Sequence, residues 1–172
     1  MTAPGPDWIA IPAIGLAATA VMDAWAWLRR KVFGVPPLDY ALVGRWLGHM
    51  RHGRLVHRPI SASPPVRHER ALGWIAHYAT GIGFAGILVV LWGPGWLAEP
   101  RLLPALIVGT GSAVAPFFLM QPCFGAGIAA SRTPRPGLAR LHTLVTHAVF
   151  GLGLYAGGWA LNRLAAGPAV TL

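Results

Sequence analysis

The chain has 172 residues, 55% of them hydrophobic and only 11% charged, with a mean hydropathy of +0.54. A soluble domain of this length cannot bury so much apolar surface, so the composition excludes a free-standing soluble protein and points to a bilayer. Its formal charge of +9, from 14 Lys and Arg against 5 Asp and Glu, reads as a topology signal that can attract anionic lipid, and the spread of the cations argues against nucleic-acid binding.

The first apolar run predicts a span over about residues 8–28. Its leader, Met1 to Asp7, has no basic residue and carries an acid, so a retained helix is expected rather than a cleaved signal peptide. Gly15, Ala18 and Thr19 suit close helix packing. Asp23 is the only acid inside an apolar run. An ionised Asp at the bilayer centre costs ~2.5–3.5 kcal/mol, so it should face the bundle with a partner, either for function or to fix helix register.

After the Val35-Pro36-Pro37 break, Asp39 is placed to cap a short helix over about residues 39–50. Leu42, Val43, Trp46, Leu47 and Met50 share one face, with Arg45, His49 and His52 largely elsewhere. This predicts an in-plane cytoplasmic helix, apolar side down, with Arg45, Arg51 and Arg54 as lipid head-group candidates. The same face would equally pack on the bundle or on a partner.

Helix 2 is expected over about 66–92, helix 3 over about 102–124 and helix 4 over about 138–164. Ser63-Pro64-Pro65 and Thr133-Pro134 read as helix starts. Pro116 predicts a kink in helix 3, and Pro122 its end or a bend. These runs are continuously apolar, which favours helices over barrel strands. The expected fold class is therefore all-α, a polytopic membrane protein forming a single membrane domain over residues 1–172. Twelve of the fourteen Lys and Arg residues lie between helices 1 and 2 or between helices 3 and 4, and only Arg101 and Arg163 lie on the other side. Both termini are then outside and both long loops cytoplasmic.

An R-x6-H-x3-G-x-G pattern occurs twice, seventy residues apart without a gap: Arg70, His77, Gly81, Gly83 and Arg140, His147, Gly151, Gly153. It predicts an internal duplication of two parallel-repeat hairpins about an axis along the membrane normal. Asp23, His77, His147, Gln121 and Cys123 fall in roughly one layer, ~7–10 Å inside the cytoplasmic boundary. Asp23, His77 and His147 are the candidate ligand or metal residues, with Glu69, Gln121, Cys123, Gly81 and Gly151 in support. Four readings are open for the histidines. Space over Gly81 and Gly151 could admit a haem b held by one His from each helix. Asp23 with both histidines offers ligands for a metal. Asp and His also suit proton relay. The glycines could instead simply let helices cross, with no ligand at all, and Gln121 and Cys123 could serve packing alone. No catalytic residue is assigned, because no phosphate loop, G-x-S-x-G or HExxH occurs. The single cysteine, Cys123, rules out a disulfide within one chain.

G-x3-T-x2-M-D-x-W (Gly15 to Trp25), G-R-W-L-G-H-M (Gly44 to Met50), E-R-x2-G-W-x2-H-Y (Glu69 to Tyr78) and Q-P-x2-G-x-G (Gln121 to Gly127) stand in the sequence together. This combination resembles a bacterial family of small inner-membrane proteins known only as a domain of unknown function, across about residues 8–164. The resemblance implies a four-span protein of the bacterial cytoplasmic membrane and carries no catalytic residue with it. Three functions follow as expectations: a membrane protein binding a metal, haem or small ligand; a small proton- or ion-coupled transporter or channel-like protein; or an accessory subunit of a membrane complex. The expected partners are the lipid bilayer and a homo-oligomer or membrane-complex partner, with no nucleic acid.

Overall fold

A computed structural model of the chain describes residues 9–165. Its described elements are helices and turns: α1 (Ala10–Phe33), α2 (Tyr40–Met50), α3 (Glu69–Trp92), α4 (Gly95–Ala98), α5 (Leu102–Gly111), α6 (Gln121–Phe124) and α7 (Pro136–Ala165). Four segments are long and apolar enough to cross a membrane: Ala10–Phe33, Glu69–Trp92, Leu102–Phe124 and Pro136–Leu164. The leader reading from Met1 to Asp7 lies outside the described residues.

The bundle is apolar on its outside as well as within. Val90, Leu103 and Phe118 are 79%, 68% and 61% exposed, a surface that suits lipid and would be a liability in water. Inside, α1 packs between α3 and α7, and α5 packs on α7. Ile14 and Ala18 meet Ala85 and Leu88, Ala105 and Val108, and Phe150 and Leu154 in one buried core. Close approach is made by small residues, because lipid offers helices no hydrophobic drive to associate. Gly15 lies against the backbone of Gly81 and Ile82, Gly109 against that of Gly151, and Gly153 against Ala18.

The third span is not one uniform helix. α5 ends at Gly111, and Ala115–Met120 winds as a π-helix, with the Gln121 N–H bonded back to the Pro116 carbonyl. A proline without an N–H inside an apolar helix explains the wider turn. The helix stops at Phe124, where Gly125 takes a left-handed conformation (φ 92°).

α2 departs from the expected in-plane surface helix. Tyr40 lies against Gly73, Gly44 against Glu69 and Gly73, and Gly48 against Val66, so α2 runs antiparallel along the start of α3. A side chain at Gly44 or Gly73 would collide with the facing backbone, so the lack of one is what seats the helix. Its apolar face is used as well: Trp46 packs with Ile60 and Phe124, flanked by Leu42, Val43, Leu47, Met120 and Cys123. Of the two readings left open by the sequence, packing on the bundle is the one observed.

Two helix starts also differ from expectation. The hydroxyl of Ser63 binds the His57 ring (2.8 Å), and α3 begins at Glu69, whose carboxylate accepts the Val66 N–H (2.9 Å). Thr133 donates to the Ala130 carbonyl (2.8 Å), and α7 begins three residues later at Pro136.

Candidate functional site: a carboxylate, two histidines and a small cavity

Asp23 sits on α1 ten residues before its end, ~15 Å along the helix axis. It does find partners. Its Oδ1 lies 2.9 Å from His77 Nε2 and 3.5 Å from the Tyr40 hydroxyl, and its Oδ2 accepts from Tyr78 at 3.0 Å. The Tyr40 hydroxyl is also 2.9 Å from His77 Nε2. Four polar groups from three helices therefore share one knot, which satisfies a carboxylate that lipid would otherwise penalise.

The knot depends on how α2 is seated. Asp39 accepts the Ala41 N–H at 3.0 Å and so starts α2 with Tyr40 in its first turn. The Tyr40 ring stacks on His77 with centroids 4.1 Å apart and planes 25° apart, and Trp74 covers Tyr40 at 4.6 Å. Burial, reinforced by the Asp23 charge and hydrogen bond, pushes the Tyr40 phenol above its usual pKa, so it remains an O–H donor.

The second histidine is held differently. Ser112 donates to the Gly109 carbonyl (2.6 Å), and its oxygen lies 2.6 Å from His147 Nδ1. A hydroxyl has one proton to give, so Nδ1–H donates to Ser112 and Nε2 is left as the basic nitrogen of the neutral ring. Thr19 on α1 repeats half of this device, donating to the Gly15 carbonyl at 2.8 Å.

Between these groups lies a cavity of about 60 Å³, lined by residues of all four spans that include His77, His147, Thr19, Ser112, Thr80 and Phe150. The two histidines expected from the repeated motif therefore face the same space. A cavity of this size holds water, since a water occupies roughly 30 Å³ in the liquid, whereas small-molecule sites run to about 300–1,000 Å³. Haem does not fit. The strips over Gly81 and Gly151 that were to receive it are filled by Gly15 and Thr19 and by Ala105 to Gly109. A metal site is not formed either: among the described residues no three His, Cys, Asp or Glu side chains converge as a ligand set. Asp23 is spent on His77 and the tyrosines, and His147 is turned to Ser112.

The remaining sequence candidates fall elsewhere. Glu69, a supporting candidate for the site, instead holds Arg45 through two bonds of 2.8 and 2.9 Å and takes the Val66 N–H. Arg45, expected at lipid phosphates, also donates to the carbonyls of Ser61 (3.2 Å) and Ser63 (3.0 Å), and the neighbouring Glu69 raises its pKa further. Gln121 does not pair with His147; its Oε1 is buried with no hydrogen-bond partner among the described residues. The π-helix between Ser112 and Gln121 sets the two apart in register. Cys123 packs in the α2–α6 cluster, and its carbonyl accepts the His57 N–H at 2.8 Å. Arg51 is exposed, its Nε 3.0 Å from His52 Nε2, and Arg54 is exposed on the following loop.

Tyr40, Tyr78, Thr19 and Ser112 were not read as site residues from the sequence. Tyr78 follows His77 directly, and Ser112 stands one turn after a packing glycine, so both carried a local signal. Tyr40 carried none, because its place depends on Gly44 and Gly73 meeting across two helices.

No curated protein and no solved structure matches the chain. A family model does match, over residues 12–161, which takes in nearly all of the four spans and the knot itself. The chain thus belongs to the family described as "Protein of unknown function (DUF2938)".

Proposed function

We propose that this chain is a small proton-handling membrane protein, in which Asp23, His77 and His147 pass a proton through the cavity between the two histidines. The observation that carries the reading is the shared cavity, water-sized and lined by both rings. It admits a proton carried on water and excludes larger solutes. The chemistry at His77 supports it. The single phenolic proton of Tyr40 can go to His77 Nε2 or to Asp23 Oδ1. In the first case the ring proton sits on Nδ1; in the second, Nε2–H donates to Asp23. A change between the two states takes up one proton at Nε2, delivered through Asp23, and releases one from Nδ1, so a proton crosses the ring without moving a helix. Across the cavity, His147 offers a basic Nε2 whose tautomer is held by Ser112.

The distribution of Lys and Arg supports a multi-pass protein of the bacterial inner membrane with both termini outside, and the repeated motif supports two related hairpins. In the second hairpin Gly109 meets Gly151 and Ser112 bonds the Gly109 carbonyl, much as Gly15 meets Gly81 and Thr19 bonds the Gly15 carbonyl in the first, while the two histidines keep different partners around one cavity. A partner protein or a second copy is compatible with this reading and is not required by it.

The test is proton flux into liposomes that hold the purified chain and a trapped pH dye. Under an imposed inside-negative potential the native chain should acidify the lumen faster than empty liposomes do. Asp23→Asn and His147→Ala should slow that flux by about a hundredfold, the scale of losing a positioned acid or base. If native and variant proteins leak no more than empty liposomes while the variants melt earlier, the polar layer serves packing and the chain is an accessory subunit.

A further inference from the structure

Between α2 and α3 the chain forms a loop, residues 54–64, pinned by one buried side chain. His57 is 4% exposed; its Nδ1 lies 2.8 Å from the Ser63 hydroxyl, its Nε2 3.3 Å from the Arg54 carbonyl, and its N–H donates to the Cys123 carbonyl at 2.8 Å. Trp46 Nε1 holds the Leu55 carbonyl at 2.8 Å. The loop is therefore fixed to α2 and α6 before any ligand arrives. It encloses an open cavity of about 340 Å³ whose lining includes Arg54, His57, Arg58 and Ser63.

The charge in that cavity is unbalanced. Each acid among the described residues is committed elsewhere: Asp23 to the membrane knot, Asp39 to the start of α2, Glu69 to Arg45 and Glu99 to Arg101. The guanidiniums of Arg54 and Arg58 bond no side chain or carbonyl among the described residues, and both are exposed. Two free guanidiniums on a preorganised concave wall favour an oxyanion with several acceptor oxygens, because forked N–H donors match its geometry. Beside them Leu55 and Val56 are 50% and 61% exposed, an apolar neighbour suited to the first carbons of a lipid.

We propose that this loop is a phosphate-binding site, with Arg54 and Arg58 gripping a phosphate carried by an anionic lipid head group or present as free phosphate. The site is separate from the proton knot and stands whether or not the chain moves protons. It also reassigns the head-group role from Arg45, which is internally paired, to Arg58.

The test uses the full chain purified in a neutral detergent, titrated with short-chain phosphatidylglycerol, with phosphatidylcholine of equal chain length and with inorganic phosphate, and read as the thermal unfolding midpoint. Phosphatidylglycerol or phosphate should raise the midpoint saturably, and phosphatidylcholine should not. Replacing both arginines (Arg54→Gln with Arg58→Gln) should raise the half-saturating concentration about tenfold, the scale of one lost charge-assisted bond. Arg132→Gln with Arg135→Gln, an equal loss of charge on another exposed loop, should change it by less than about twofold. Arg54→Lys with Arg58→Lys keeps the charge and should fall between the two. Saturation by the lipid alone identifies a head-group site, and saturation by inorganic phosphate a soluble one. Equal effects of the two Gln pairs, or no saturation by either phosphate source, would overturn the proposal.

Discussion

At the scale of single residues, glycine is the informative type here, because identical letters do different work. Gly81 and Gly83 stand two apart in the repeated motif, yet a Cβ at Gly81 would collide with Thr19 whereas one at Gly83 meets nothing within 4 Å. Gly81→Ala is therefore expected to destabilise the bundle by about 1–3 kcal/mol through overpacking. Gly83→Ala should be neutral or stabilise it by up to about 1 kcal/mol, since alanine orders a helix at lower entropic cost. Thermal unfolding of both variants in detergent checks the pair, and equal losses would mean that the α1–α3 crossing is not where the structure puts it.

Among the elements, α2 is the one that joins loop chemistry to membrane chemistry. Its register on α3 is set by Gly44 and Gly73, and that register carries Tyr40 to His77 and Arg45 to Glu69. Gly44→Val should push α2 off α3, costing about 1–3 kcal/mol as a small-to-large change. The Tyr40 ring would then leave His77, which near-ultraviolet circular dichroism would report as a weakened tyrosine and tryptophan signal. An unchanged spectrum would contradict the seating described. This element also marks the limit of what could be read from the chain alone. Continuous apolar runs disclosed the spans, and the repeated motif singled out His77 and His147, which line one cavity. The amphipathic pattern of Leu42, Val43, Trp46 and Leu47 disclosed a buried face without saying what buries it. Phe124, remote in sequence, and Ile60, on the loop that follows, supply the answer. Ser112 was hidden because a regular helical count put Gln121 in one layer with His147, and the π-helix over Ala115–Met120 breaks that count.

Over the whole molecule, polar groups are gathered into one layer that an otherwise apolar bundle encloses, and glycine contacts between helices leave a void of about 60 Å³ there. Such an arrangement costs stability in lipid unless the groups are paired, and among the described residues Asp23, His77 and His147 are each paired while Gln121 Oε1 is not. The central claim is that His77 and His147 belong to one site. It is tested most directly by a double-variant cycle of proton flux in liposomes, with His77→Ala, His147→Ala and the two combined. Residues acting as a unit are non-additive, so the combined variant should be no slower than the slower single one. Flux losses that multiply, each histidine slowing transfer by its full factor in the other's absence, would contradict the account.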